Sequence, residues 1–123
     1  MTDIKTYLEA LVLIDDKPDH CPRGHVIFAA GDLGRHLYVV RTGTVELRVG
    51  ETVLETVGPG GIFGELALVD PAPRSASAVA GEDCTLAKVD AAAFHGLVQR
   101  VPGLALAVMR VMARRLRQMT LPD

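Results

Sequence analysis

The chain has no tryptophan, only two cysteines, four histidines and 4% aromatic residues across 123 positions. Each shortage excludes something. Cys21 and Cys84 are too few for the disulfide framework of a small secreted domain and point to a reducing, cytoplasmic setting. They also cannot hold an iron–sulfur cluster, which needs four such ligands. The apolar runs are nearly free of histidine and no His-x-His occurs, so the converging imidazoles of a metal-dependent cupin enzyme are missing. His20, Cys21 and His25 stand near one another around a proline, with no matching pair elsewhere, and read as an ordinary loop, not a zinc site. No apolar run reaches the length of a membrane span. The segment Leu8 to Ile14 is interrupted by Glu9 and lacks the basic start and cleavage pattern of a signal peptide. There is no P-loop, kinase signature or paired nucleophile and base, so no catalytic residue is nominated and no enzyme is expected.

What is present describes one domain over residues 1–123. Its 49% apolar and 23% charged residues exclude disorder, and the length supports one real core. Net charge of −2 conceals an asymmetry: residues 1–99 hold 8 basic and 14 acidic residues, residues 100–123 five arginines and one acid. Arg110, Arg114, Arg115 and Arg117 are read as cations in the later turns of a helix, favourable against its dipole. A nucleic-acid surface is not favoured, because no recognition helix or aromatic stacking set accompanies them.

At the start, Asp3 is a cap for a short helix through Glu9, followed by an extended Ala10 to Asp15. From His25 short β-rich runs recur: His25–Ala29, Leu37–Arg41, Thr44–Val49, Thr52–Val57, Ser75–Ala80 and Cys84–Val89. Glycine-bearing turns separate them, at Gly31-Asp32, Thr42-Gly43, Gly50-Glu51, residues 58–61 and Gly81-Glu82-Asp83. In Thr44–Val49, Val45, Leu47 and Val49 alternate with polar residues, one face in and one out. Such strands predict a small antiparallel roll or barrel. Two helices follow. Asp90 caps Ala91 to Gln99, and Pro102 opens a helix whose body is Leu104–Met119. Leu104, Val108 and Val111 form one apolar stripe of that helix, and Met109, Met112, Leu116 and Met119 a second that needs its own partner.

The chemistry concentrates between Ile62 and Val79. Gly60, Gly61 and Gly64 lead into a helical turn, Phe63 to Leu68, whose first N–H groups lack intrahelical partners and form an anion site. Arg74 adds a planar, permanently charged fork of donors suited to phosphate. Ser75-Ala76-Ser77-Ala78 reads as a strand of side chains too small to block a ligand. Glu65 is informative because its carboxylate repels a bare phosphate. A ligand that meets both charges carries an anion and, a few ångströms away, a hydroxyl donor, which is the pattern of a ribose phosphate. The bland alternative is that Glu65 and Arg74 simply pair with each other.

The run F-G-E-L-A-L-V-D-P-A-P-R-S-A-S-A resembles, without gaps, the phosphate-binding cassette of the cyclic nucleotide-binding domain family, which includes protein kinase A regulatory subunits and catabolite activator proteins. With turn glycines at Gly31, Gly43 and Gly58, the resemblance covers roughly residues 24 to 119. It implies a mainly β fold with flanking α: an antiparallel, jelly-roll-like β-roll (24–89) with an inserted cassette helix, then two C-terminal helices (90–119). Residues 1–23 depart from the longer helical bundle usual there. By the resemblance Glu65 holds the ribose 2′-hydroxyl, Arg74 the cyclic phosphate, and Phe63, Gly64, Leu66, Ala67, Ser75 and Ala76 complete the ligand site. Met112, Leu116 and Met119 are expected as a lid over the base.

The implied function is a cyclic nucleotide sensor, with cyclic AMP preferred over cyclic GMP, no other cofactor and no metal. Ligand-induced movement of the C-terminal helix would carry the signal. A competing use of that helix's second stripe is pairing with a second copy or a separate effector; neither nucleic acid nor a membrane segment is expected. No helix-turn-helix follows Met119, so the chain as written senses without a built-in output. The alternatives are the cupin enzyme and a degenerate interaction domain that binds nothing. Glu65 and Arg74 together argue against the latter.

Overall fold

The computed structural model describes residues 18–70 and 72–120, with the backbone alone for Met119 and Thr120. The expected helix through Glu9 and extended Ala10 to Asp15 lie outside the described residues.

Among the described residues eight strands form two antiparallel four-stranded sheets. They are β1 (Asp19–Cys21), β2 (Val26–Phe28), β3 (His36–Thr42), β4 (Val45–Val49), β5 (Thr52–Val57), β6 (Ile62–Phe63), β7 (Ser77–Ala80) and β8 (Cys84–Asp90). One sheet runs β1-β8-β3-β6 and the other β2-β7-β4-β5. A short helix α1 (Leu66–Val69) interrupts the roll, and α2 (Ala91–Arg100) and α3 (Gly103–Thr120) follow it. The antiparallel roll with an inserted helix and two terminal helices is the architecture expected from the sequence.

Two strands were not anticipated. His20 and Cys21 belong to β1, which pairs with β8 through Asp19↔Leu86 and Cys21↔Cys84, so the roll begins before residue 24 and these residues are not a loop. Phe63 lies in β6, opposite Tyr38, and not in the helical turn assigned to it. The turn is correspondingly shorter, and Ser75 and Ala76 form a bend ahead of β7.

Strand β3 explains how the layers stack. Alternate residues of a strand face opposite sides of its sheet. Leu37 and Val39 face the helices with Ile62, Ala87 and Val89, where they meet Leu104, Val108 and Val111 of α3. Tyr38 and Val40 face the second sheet, in a cluster with Phe63, Leu86, Ala78, Ala80 and Val45. Both faces of this sheet are therefore apolar, and β3 reads as a continuous hydrophobic run where a half-exposed strand would alternate. The first stripe expected on α3 is the one that packs on the roll. Of the second, Met109 is 53% and Leu116 62% exposed, whereas Met112 packs partly against the core.

Helix boundaries follow local chemistry. The Asp90 carboxylate accepts from Ala93 N–H at 2.8 Å, the cap expected for α2. Pro102 stands one residue ahead of α3, and Ala105 N–H donates to its carbonyl at 3.3 Å. Among the described residues no helix is long and apolar enough to cross a membrane.

Candidate functional site

Arg74 is held from its backbone outward. Its N–H donates to Asp32 O at 2.7 Å and its carbonyl accepts from Gly31 N–H at 2.8 Å, so the turn after β2 clamps the loop before β7. The Asp32 carboxylate in turn accepts from Ala29 N–H at 2.9 Å. The guanidinium then passes inward over the Phe28 ring, 4.1 Å from its centroid. That contact supplies a negative π-face to a cation, and Phe28 is itself fixed against Tyr38 and Phe63 at 5.9 Å each.

The polar contacts of Arg74 are all with neutral acceptors. Nη1 donates to Gly64 O and Nη2 to His36 O, both at 2.9 Å. Nε is buried and, among the described residues, has no acceptor. Burial pushes this guanidinium below its ordinary value, against the pull of Tyr38, Glu65 and Asp32 nearby. A half-buried cation with two carbonyls, one ring and an unmet N–H is short of an anion.

Two glycines make this arrangement possible. Gly64 has φ 76°, a left-handed conformation that turns its carbonyl towards Arg74. At Gly34 the issue is space: a Cβ there would stand 2.1 Å from Arg74 Nε and 2.2 Å from Cζ.

Glu65 opens α1 and is 4% exposed, the one charged residue buried among those described. It does not pair with Arg74. Its Oε1 accepts from Arg115 Nη1, 2.7 Å away, on α3. Arg115 also donates from Nε and Nη2 to the two Glu55 oxygens at 2.9 and 3.0 Å, and from Nη2 to Ile62 O at 2.6 Å. A single guanidinium thus ties the last helix to β5, β6 and the cassette. Burial alone would lower its pKa, but hydrogen bonds and attraction from Glu55 and Glu65 outweigh that and hold it above its ordinary value. The Arg115 hydrogen bond holds the Glu55 carboxyl below its own.

The nominated residues therefore divide. Gly64, Glu65 and Arg74 converge, whereas Leu66 is 55% exposed, Ala67 half-buried, and Phe63 fully buried beneath the site. Ser75 is exposed and Ala76 half-buried in the bend. Met112 and Leu116 lie three residues before and one after Arg115, and the Met119 side chain is outside the description. A cleft of ≈ 310 Å³ lies between the turn at Gly58–Gly61 and α3, with Glu55, Arg114 and Arg115 on its wall. It meets the cluster from one side only, since neither Glu65 nor Arg74 lines it. No group of three or more metal-ligating side chains occurs among the described residues.

Phe28, Gly34, His36, Glu55 and Arg115 were not nominated from the sequence. Arg115 was read as a cation placed against a helix dipole. Its largely covered side chain and two paired carboxylates give it a further role, while Arg110, Arg114 and Arg117 are exposed.

A double-sheet roll that presents a buried glutamate and an anion-short arginine on one interrupting helix and loop defines a class. The chain matches the family model described as "Cyclic nucleotide-binding domain" over residues 18–101. It belongs to the cyclic nucleotide-binding domain family. It is 43% identical to the cyclic AMP receptor protein of Thermus thermophilus over 102 residues, 79% of this chain and 47% of that protein. The chain spans about half the length of that relative. The crystal structure of Thermus thermophilus catabolite activator protein superposes with a TM-score of 0.78 at 36% identity, covering 93% of this chain and 55% of that one. A structure described under a cyclic-GMP-dependent signalling pathway of bacterial phytopathogenesis gives a TM-score of 0.75 at 30% identity, covering 89% and 93%.

Proposed function

We propose that the chain binds a 3′,5′-cyclic purine nucleotide, cyclic AMP in preference to cyclic GMP, and signals through a shift of α3. The observation that carries this is Arg74: a half-buried cation with an unmet Nε and no carboxylate partner. A cyclic phosphate supplies the missing acceptor. Glu65 takes the ribose 2′-hydroxyl, with N–H groups at the head of α1 and the Ser75–Ala76 bend completing the phosphate site. Preference for adenine rests on the short supply of polar side chains after Arg74: Ser75 is exposed in the bend, the Ser77 hydroxyl already accepts from Ala30 N–H at 2.9 Å, and Ala78 to Ala80 are apolar, which leaves little to reward a guanine amino group.

The link to α3 runs through Arg115. A hydroxyl that donates to Glu65 draws on the carboxylate that Arg115 already uses. Ligand and helix thereby share one group, and any change that binding makes in the Arg115 contacts changes affinity by the same factor. Met112, Leu116 and Met119 would close over the base. The exposed Leu106 and Met109 offer the same helix to a second copy or an effector. The alignment with the Thermus thermophilus protein supports the ligand class, and its name supports cyclic AMP.

Calorimetry with cyclic AMP, cyclic GMP and 5′-AMP tests this. Cyclic AMP should bind most tightly, and 5′-AMP, which carries an extra charge, should not bind measurably. Equal affinity for 5′-AMP, or none for either cyclic nucleotide, overturns the reading.

Gly34→Ala supplies a second check. The three atoms nearest the added Cβ all belong to the Arg74 guanidinium, so the methyl acts first on that group and the roll should lose no more than a few degrees of melting temperature. Nucleotide affinity should fall about tenfold, the worth of roughly one charge-assisted hydrogen bond. Unchanged affinity would show that Arg74 need not lie where it does.

A further inference from the structure

Away from the nucleotide site, β1 and β8 bring two thiols together. Cys21 and Cys84 are directly opposed in antiparallel register. Both are free and buried, at 7% and 3% exposure, and both belong to the apolar cluster between the sheets. Each thiol acts on the ionisation of the other. Opposed residues of an antiparallel pair have Cα atoms about 4.5–5.5 Å apart. That falls within the roughly 4.4–6.8 Å that a disulfide spans. A bond between the sulfurs therefore asks for side-chain rotation and no shift of the strands. A surface cleft of ≈ 370 Å³ has both cysteines on its wall, with His20, Pro22, Thr42 and Asp83 among its other lining residues.

We propose that Cys21 and Cys84 are a redox modification site that closes to an intramolecular disulfide by exchange with a small-molecule disulfide such as oxidised glutathione. One cysteine, as thiolate, attacks the oxidant, forming a mixed disulfide and releasing one reduced thiol. The other cysteine loses its proton and attacks the protein-side sulfur, closing the Cys21–Cys84 bond and releasing the second thiol. Two electrons and two protons pass from the protein thiols to the oxidant, whose own disulfide is reduced. Burial raises both thiols, with Asp19 adding to it at Cys21, where Lys88 opposes, and Cys21 and Asp83 adding to it at Cys84, which is pushed up to about 11. Little thiolate exists at neutral pH, so exchange is slow there and the site records sustained oxidation. The closed ring spans residues 21 to 84 and removes freedom from the unfolded chain, while tying β1 to β8 covalently. Nothing in this depends on nucleotide binding.

The test equilibrates the full chain at low concentration in glutathione buffers of rising oxidised fraction, once folded and once refolding. Thiols are then alkylated in denaturant and counted by mass. Both thiols should vanish together, leaving a monomer lighter by two hydrogens whose melting temperature is about 10 °C higher and returns on reduction. Cys84→Ser and Cys21→Ser should each keep one thiol, free or as a glutathione adduct, and show no such rise. Two alkylatable thiols after both treatments would overturn the proposal. So would a bond between two chains, or a disulfide that lowers the melting temperature.

Discussion

Arg74→Ala is expected to weaken cyclic nucleotide binding roughly ten- to a thousandfold, as one or two charge-assisted hydrogen bonds of about 1.5–3 kcal/mol each are lost. The substitution also removes the donors from Gly64 O and His36 O and the cation from Phe28. Some local loosening must therefore be separated from lost ligand contacts. Arg74→Lys does this. It restores a charge over Phe28 but lacks the planar fork, so it should recover the melting temperature more fully than the affinity. Calorimetry beside thermal melting gives both readouts. An Arg74→Ala chain that binds cyclic AMP normally would remove this residue from the site.

The legible part of the site was the part contiguous in sequence. Gly64, Glu65 and Arg74 fall within eleven positions, and their residue types declare their chemistry: a positive-φ turn, an acid beside an anion site, a phosphate-suited fork. Gly34 and His36 contribute through vacant space and a backbone carbonyl, properties that a residue's identity does not announce. The further role of Arg115 was missed for another reason. An arginine late in a helix satisfies the dipole equally well on any face, and only the packing of α3 shows which one is buried. Its two carboxylates, Glu55 and Glu65, lie 60 and 50 positions away.

The fold shows the same division. Strand β4 alternates in the sequence, and Val45 is buried while Val49, at its end, is half-exposed. Strands β1 and β6 escaped because three and two residues are too short to establish a period. Phe63 sits between a glycine turn and a helix, so its neighbours suggested helix. Its partner Tyr38, stacked at 5.0 Å across the sheet, decided otherwise. The run at β3 hid its own meaning, since a strand covered on both faces has no polar side to reveal its register.

The pairing that sequence could not reveal carries the other large expected effect. The side chains of Arg115 and Glu65 are 15% and 5% exposed, so their contact is a buried ion pair and not a surface one. Removing one member of a buried pair leaves the other charge uncompensated, at a cost of about 3–5 kcal/mol. Glu55 and Ile62 O also lose their donor in Arg115→Ala, while the solvent near Glu55 softens the loss. A fall in unfolding free energy of about 3 kcal/mol is expected, measured by urea titration. Glu65→Gln removes the charge that would be stranded, so Arg115→Ala should cost markedly less in that background, and the difference measures the coupling. Acid gives a further signature. The Glu55 carboxyl is held below its ordinary value by Arg115, so this contribution is full above the unfolded glutamate value near 4.5 and is lost as pH falls through the folded one. The wild-type chain should lose stability over that acid window, and Arg115→Ala should lose less of it. A cost within about 0.5 kcal/mol, as for an exposed ion pair, would show that Arg115 does not anchor α3 and would remove the proposed route from Glu65 to the helix.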